Sequence, residues 1–197
     1  MMLFLTLNNI FCTMEEYRKH IQYLAKNHIG RTFMNSDEEH AAIVLNSIFK
    51  TATTTVRIFA GNLCHHVGTT PGYIESLSDF IDRGGEVRML LNNCNDEDLR
   101  GSNLFKRLAY YKSIDKPVFI KKTSKKVYLT KDPDRKEVHF TVGDQSSFRL
   151  ETDITKRSAI GDFNNAIAEK YASFFDRIFT DPESVEIDIV NLVANGN

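Results

Sequence analysis

Two short runs late in the chain limit its fold more than any other feature. Glu137-Val138-His139-Phe140-Thr141-Val142-Gly143-Asp144 alternates, and Ser147-Phe148-Arg149-Leu150-Glu151 alternates again after the Gly-Asp-Gln-Ser break. Period-two alternation interrupted by turn residues predicts a β-hairpin with one apolar face. For Phe140, Val142, Phe148 and Leu150 to share that face, Phe140 must pair with Leu150 and Val142 with Phe148. Thr141 then lies opposite Arg149 and His139 opposite Glu151. The second face gathers an imidazole, a guanidinium and a carboxylate, a set suited to handling a phosphate.

The chain before the hairpin alternates helix and strand. Residues 1–12 are apolar and read as an edge strand or an over-long start. They lack the basic region and small-residue cleavage site of a signal peptide. From Met14 to His28 the spacing of Tyr17, Ile21 and Leu24 is helical, with Gly30 as a stop. Ser36-Asp37-Glu38-Glu39 reads as a capping box with Ser36 as N-cap, opening a helix to Lys50. Val56–Ala60 is a β-branched strand. Thr70-Pro71 starts a helix that stops at Gly84-Gly85, and Glu86–Leu91 is the next strand. This order predicts an α/β layer with parallel neighbours. Pro117–Ile120 and Val127–Thr130 read as further strands and Thr152–Ile160 as a charged loop. A final helix, capped by Asp162 or Asn164, follows Gly161, and Val185–Val190 reads as an edge strand.

Composition excludes some functions. The 197 residues carry a net charge of −1, so no global field draws nucleic acid or an anionic membrane. No run is long and apolar enough to span a bilayer, and no membrane partner is expected. Cys12, Cys64 and Cys94 are too scattered for a disulfide framework or a zinc knuckle, which points to a reducing, cytoplasmic setting. Asp96, Glu97 and Asp98 lack the spacing of a calcium loop and read as the charged first turn of a helix. No metal or cofactor is expected.

Two further groups stand out as binding candidates. His65 and His66 follow the Val56–Ala60 strand, and loops at the carboxyl ends of parallel strands are where α/β ligands bind. Lys121, Lys122, Lys125 and Lys126 surround one turn, with Arg135 and Lys136 in the next. Lysines on hairpin edges ordinarily block edge pairing. Near the His139 strand they are also candidates for a phosphate-backbone surface.

The run Ile48…Ala52, Val56–Ala60 and Leu77…Phe80-Ile81-Asp82-Arg83-Gly84-Gly85-Glu86-Val87-Arg88-Met89-Leu90-Leu91 resembles the opening of a phospholipase D-like domain. The resemblance covers roughly residues 38–179. It implies an α/β fold with a mixed, largely parallel sheet flanked by helices on both faces. The implied organisation is an N-terminal extension (1–35), the phospholipase D-like domain (36–180) and an acidic tail (181–197). That family's motif is His-x-Lys, an Asp after four residues, then Gly-Ser-x-Asn. His139 matches the nucleophilic histidine, and Asn164 or Asn165 the asparagine. Thr141 stands where the lysine belongs, Asp144 comes two residues early, and Asp162 follows Gly161 in place of serine. Arg149 is the substitute cation on the same face, and Glu151 the carboxylate that orients His139.

The resemblance thus implies a metal-independent phosphodiesterase, nuclease-like, whose substrate is a phosphodiester such as a nucleic acid. His139, Arg149, Glu151 and Asn164 form its catalytic set. Thr141, the four lysines, His65 and His66 contact substrate. One motif per chain implies a homodimer that brings two histidines together. The alternative is a catalytically silent module of the same fold that binds nucleic acid or a protein.

Overall fold

The computed structural model describes residues 13–131 and 135–195. The expectation for residues 1–12, Cys12 included, lies outside them. Among the described residues eight strands form one sheet: β1 (Phe33–Asn35), β2 (Thr55–Ala60), β3 (Glu86–Leu91), β4 (Val118–Lys122), β5 (His139–Gly143), β6 (Ser147–Asp153), β7 (Ser158–Asp162) and β8 (Val185–Glu186). Their order across the sheet is β1-β7-β6-β5-β2-β3-β4-β8.

Seven α-helices accompany the strands among the described residues: α1 (Met14–Lys26), α2 (Glu38–Thr51), α3 (Pro71–Asp82), α4 (Asp96–Gly101), α5 (Asn103–Ser113), α6 (Ile167–Phe179) and α7 (Ile189–Ala194). Alternation along the strands builds two cores. Val56, Ile58, Val87, Met89, Leu91, Val118 and Ile120 share one core with buried residues of α1, α2, α3 and α5. Phe59, Leu90, Phe140, Val142, Phe148 and Leu150 face α6, which buries Ala168, Ala172 and Phe175 against them. Full burial of a side chain such as Phe175 contributes about 1.5–3 kcal/mol. Among the described residues no helix is long and apolar enough to cross a membrane.

The sheet is mixed with helices on both faces, as the resemblance implies, but its parallel part is small. Only β2–β3 and β3–β4 are parallel. The other five pairings are antiparallel. The hairpin joins β2 in reverse and recruits β7 and β1 by further reversals. The hairpin register itself is the expected one in every pair, from His139↔Glu151 to Val142↔Phe148.

Local expectations fail where neighbours override them. The N-cap of α2 is Asp37, not Ser36, and its carboxylate accepts from His40 N at 3.0 Å. Val127–Thr130 is not a strand and makes only a Tyr128↔Glu137 bridge. Within Thr152–Ile160, β6 continues to Asp153 and β7 begins at Ser158, because Asp153 turns the chain by accepting from Thr155 N and Lys156 N. Neither Asp162 nor Asn164 caps α6; Asn165 Oδ1 accepts from Ile167 N at 3.0 Å instead. Val185–Val190 pairs with β4 for only two residues before turning into α7.

Asp144, the early aspartate, is a structural anchor. It adopts φ 53° in the hairpin turn, a conformation aspartate tolerates. Its carboxylate accepts from the backbone N–H groups of Thr53, Thr54 and Thr55 and from the Thr53 and Thr54 hydroxyls, over 2.8–3.1 Å. The preceding Gly143 lets α2 approach, since a Cβ there would lie 2.8 Å from Ile48 Cγ2. Burial works against ionisation of Asp144, but the three backbone N–H groups and the Thr54 hydroxyl outweigh it and hold its pKa below the usual value.

A depressed folded-state pKa adds stability that is complete above the unfolded value, about 4. That stability is lost as pH falls through the folded value. Asp144→Asn is therefore expected to cost about 1–2 kcal/mol at neutral pH, the modest figure reflecting its partial solvation. The cost should shrink on acidification, as read by urea unfolding at about pH 7 and about pH 3. A cost that does not change with pH would contradict this role.

Candidate active site

Strand direction brings the ionisable residues together. Because β5 runs antiparallel to β2 with Phe59↔Phe140 in register, His139 arrives beside the carboxyl end of β2. A Cβ on Gly61 would lie 3.5 Å from His139 Cε1, so the ring rests on the chain just past that strand. His139 and Glu151 face each other across the hairpin, with Nδ1 3.6 Å from Glu151 Oε2. On its other side His139 Nε2 lies 3.9 Å from Glu137 Oε1, itself 2.5 Å from Asn92 Nδ2. A carboxylate beside Nδ1 orients the ring and leaves Nε2 as the nitrogen for chemistry.

Arg149 is the most unusual residue of the group. Its side chain is 7% exposed, yet Nε and Nη2 have no hydrogen-bond partner. The nearest carboxylate oxygen, Glu151 Oε1, is 3.6 Å from Nη2. Burial pulls the guanidinium pKa down from its usual value and Glu151 pushes it back up; an arginine so placed stays a cation at neutral pH. For Glu151, burial opposes ionisation, but His139, Arg149 and Arg157 outweigh it, so the carboxyl is held below its ordinary pKa. A buried cation with orphaned donors is expensive unless a ligand supplies acceptors, and a bidentate oxyanion fits that need.

These side chains line a pocket of about 180 Å³ whose walls include Thr141, Tyr73, His65, His66, Glu38 and Arg157. Pockets that hold drug-sized ligands measure about 300–1,000 Å³, so this smaller one suits a phosphoryl group and not a whole nucleotide. A larger groove of about 800 Å³ lies between α3 and α5, but its Asp82 already accepts from the Tyr111 hydroxyl at 2.8 Å. The buried orphaned cation marks the smaller pocket as the chemical one. Among the described residues no group of three or more His, Cys, Asp or Glu side chains is placed to hold a metal ion.

The structure therefore brings His139, Arg149, Glu151, Thr141, His65 and His66 to one place. It leaves the other candidates elsewhere. Asn164 is exposed and lies at the opposite end of the sheet: antiparallel β7 carries the chain back to the hairpin turn, where Asn165 N donates to Ser146 O. Asp162 holds the Asn164 backbone and the Thr32 hydroxyl.

None of the four lysines lines the pocket. Lys121 Nζ donates to Phe179 O at 2.9 Å, and Lys122 lies on β4 paired with Val185. Lys125 is bound by Asp181 and Glu183, and Lys126 Nζ is 3.4 Å from Glu137. The acidic tail, folding back along β4, pairs with Lys125, and the cluster stands apart from the pocket.

Arg157 and Glu38 were missed. Arg157, φ 54°, reaches Glu151 Oε1 at 3.8 Å from the turn read as a loop. Glu38, the first residue of α2, carries no sequence signal beyond its place in a helix cap. The alternating face of the hairpin and the loop after β2 were the signals in the sequence for the site.

No protein-family model matches the sequence, and no curated protein does. Solved structures do match in shape. A phospholipase D family member, Nuc from Salmonella typhimurium, aligns with a TM-score of 0.55 at 12% identity, covering 80% of this chain and 97% of its own. NucT from Helicobacter pylori aligns with a TM-score of 0.53 at 12% identity, covering 80% and 99%. TrmBL2, an archaeal chromatin protein with a novel mode of DNA binding, aligns with a TM-score of 0.56 at 12% identity. There the match covers 88% of this chain but 62% of TrmBL2. The chain has a phospholipase D-like fold.

Proposed function

We propose that the chain is a phosphodiesterase, nuclease-like in its substrates, in which His139 attacks phosphorus. The observation that carries this reading is the buried guanidinium of Arg149, whose Nε and Nη2 are unpartnered beside His139. Such a cation can hold two non-bridging oxygens of a phosphodiester and favour the charge that builds on them in the transition state. Glu151 holds the imidazole with Nδ1 toward itself, so that Nε2 presents its lone pair. The reaction then needs a second imidazole to protonate the leaving oxygen. In single-motif relatives a second subunit supplies it. The narrow pocket takes the phosphoryl group while the rest of a polymer lies across the rim.

Thr141 in place of the family's lysine favours a second reading, a silent module that binds nucleic acid or a protein. The two readings part on one assay. Hydrolysis of a chromogenic phosphodiester and of labelled DNA and RNA in EDTA is expected for wild type and absent for His139→Ala. Turnover that survives in His139→Ala would place the chemistry elsewhere. No turnover in a folded wild type would leave the silent module.

A further inference from the structure

The pocket holds a second imidazole–carboxylate pair. His66 Nδ1 is hydrogen-bonded to Glu38 Oε1, much as His139 Nδ1 stands against Glu151 Oε2. All four residues line the same pocket, yet they reach it from separate elements. Glu38 opens α2, His66 ends the loop after β2, and the other pair comes from the hairpin. His65 lines the pocket too, but His66 is the imidazole that a carboxylate orients.

The loop that delivers His66 is held in an uncommon shape. Leu63 and His66 have φ 56° and 57°, left-handed values that leucine rarely adopts and histidine adopts more readily. Such backbone is costly at leucine and persists where surrounding contacts enforce it, often at active sites. Those contacts are present. Asn62 Oδ1 accepts from Cys64 N at 3.1 Å, and a Cβ on Gly68 would lie 2.2 Å from Leu63 O, so the loop closes tightly on the turn behind it.

We infer that His66, oriented by Glu38, is the general acid–base of this site, so that one chain carries both imidazoles the reaction uses. The inference rests on the phosphodiesterase reading and replaces the second subunit's histidine with one from the same chain. In the first step the His139 Nε2 lone pair forms a bond to phosphorus. The bond from phosphorus to the leaving oxygen breaks, and that oxygen takes the proton from His66 Nε2–H. In the second step neutral His66 takes a proton from water as the water oxygen bonds to phosphorus. The P–N bond then breaks and its electron pair returns to His139. The sum is a phosphodiester plus water giving an alcohol and a phosphomonoester, with both imidazoles restored.

The two steps depend differently on the leaving group, and that separates His66 from a structural role. Nitrophenolate leaves without a proton, whereas the alkoxide of a dinucleotide does not. His66→Gln is therefore expected to release one equivalent of nitrophenolate per site in a burst from a p-nitrophenyl phosphodiester. Steady turnover should then be about 10²–10⁴-fold slower, with phosphoryl accumulating on His139. With a dinucleotide the same variant should give no burst. Glu38→Gln should show the same pattern, more weakly, because the acid remains but is less well held.

Steady turnover at the wild-type rate in His66→Gln would overturn the assignment and return the acid to a partner's imidazole. Loss of the burst along with turnover would overturn it too, as a folding or binding defect. A His139→Ala variant that still turns over, or a wild type that turns over neither substrate, would sink the underlying reading and this inference with it.

Discussion

His139→Ala is expected to lower phosphodiester hydrolysis by at least about 10⁴-fold, the scale on which loss of a nucleophile or its partner acts. The fold should persist, since the ring is 18% exposed and lies at the edge of the hydrophobic packing, 6.3 Å from the Phe59 ring. A stability change of about 1 kcal/mol is in keeping with that position. The chemistry predicts an intermediate as well. A phosphorus–nitrogen bond survives alkali and breaks in acid, so a quench in base after mixing with labelled substrate should leave label on His139. Glu151→Gln should slow formation of that adduct, and the double variant should be no worse than His139→Ala alone, because the pair acts as a unit. Label on another residue, or an adduct in His139→Ala, would exclude His139 as nucleophile.

The parts of this site that the sequence made legible are those governed by local periodicity. A strand's side chains alternate whatever its neighbours do, so the pairing of His139 with Glu151 and of Thr141 with Arg149 followed from the apolar residues between them. The place of His65 and His66 followed from the rule that loops after parallel strands line ligand sites.

What escaped depends on pairing between distant segments. Ser158–Asp162 carries too few apolar residues to announce a strand, and only the Asp153 turn lays it against β6. That reversal sends Asn164 away from His139. Likewise Lys125 reads as part of a basic patch until β8 pairs with β4 and sets Asp181 beside it, 56 residues away. Charge in the sequence is a sum over residues, whereas charge at a surface depends on which residues the fold makes neighbours.

Arg149→Ala is expected to reduce turnover by about 10²–10³-fold, the usual loss when one pre-set donor to a developing oxyanion is removed. It should also abolish protection by inorganic phosphate. At a hundred times its Kd phosphate is expected to stabilise wild type by about 2.7 kcal/mol, and the variant should gain little. The variant's own loss of stability should fall below the about 3–5 kcal/mol typical of breaking a buried pair. Glu151 keeps His139 at 3.6 Å and Arg157 at 3.8 Å, and two unpartnered donors disappear.

Register supplies the decisive control. Thr141 lies directly across from Arg149 on the same face of the hairpin. A lysine at 141 can therefore carry the missing charge toward the same oxyanion, as lysine does in the family this fold resembles. Thr141→Lys combined with Arg149→Ala should recover part of both turnover and phosphate protection. Thr141→Lys alone, which places two cations together in a buried site, should destabilise the protein in the absence of phosphate. If the combined variant folds but regains neither property, Arg149 is not the cation that holds the phosphate, and its buried guanidinium serves the fold alone.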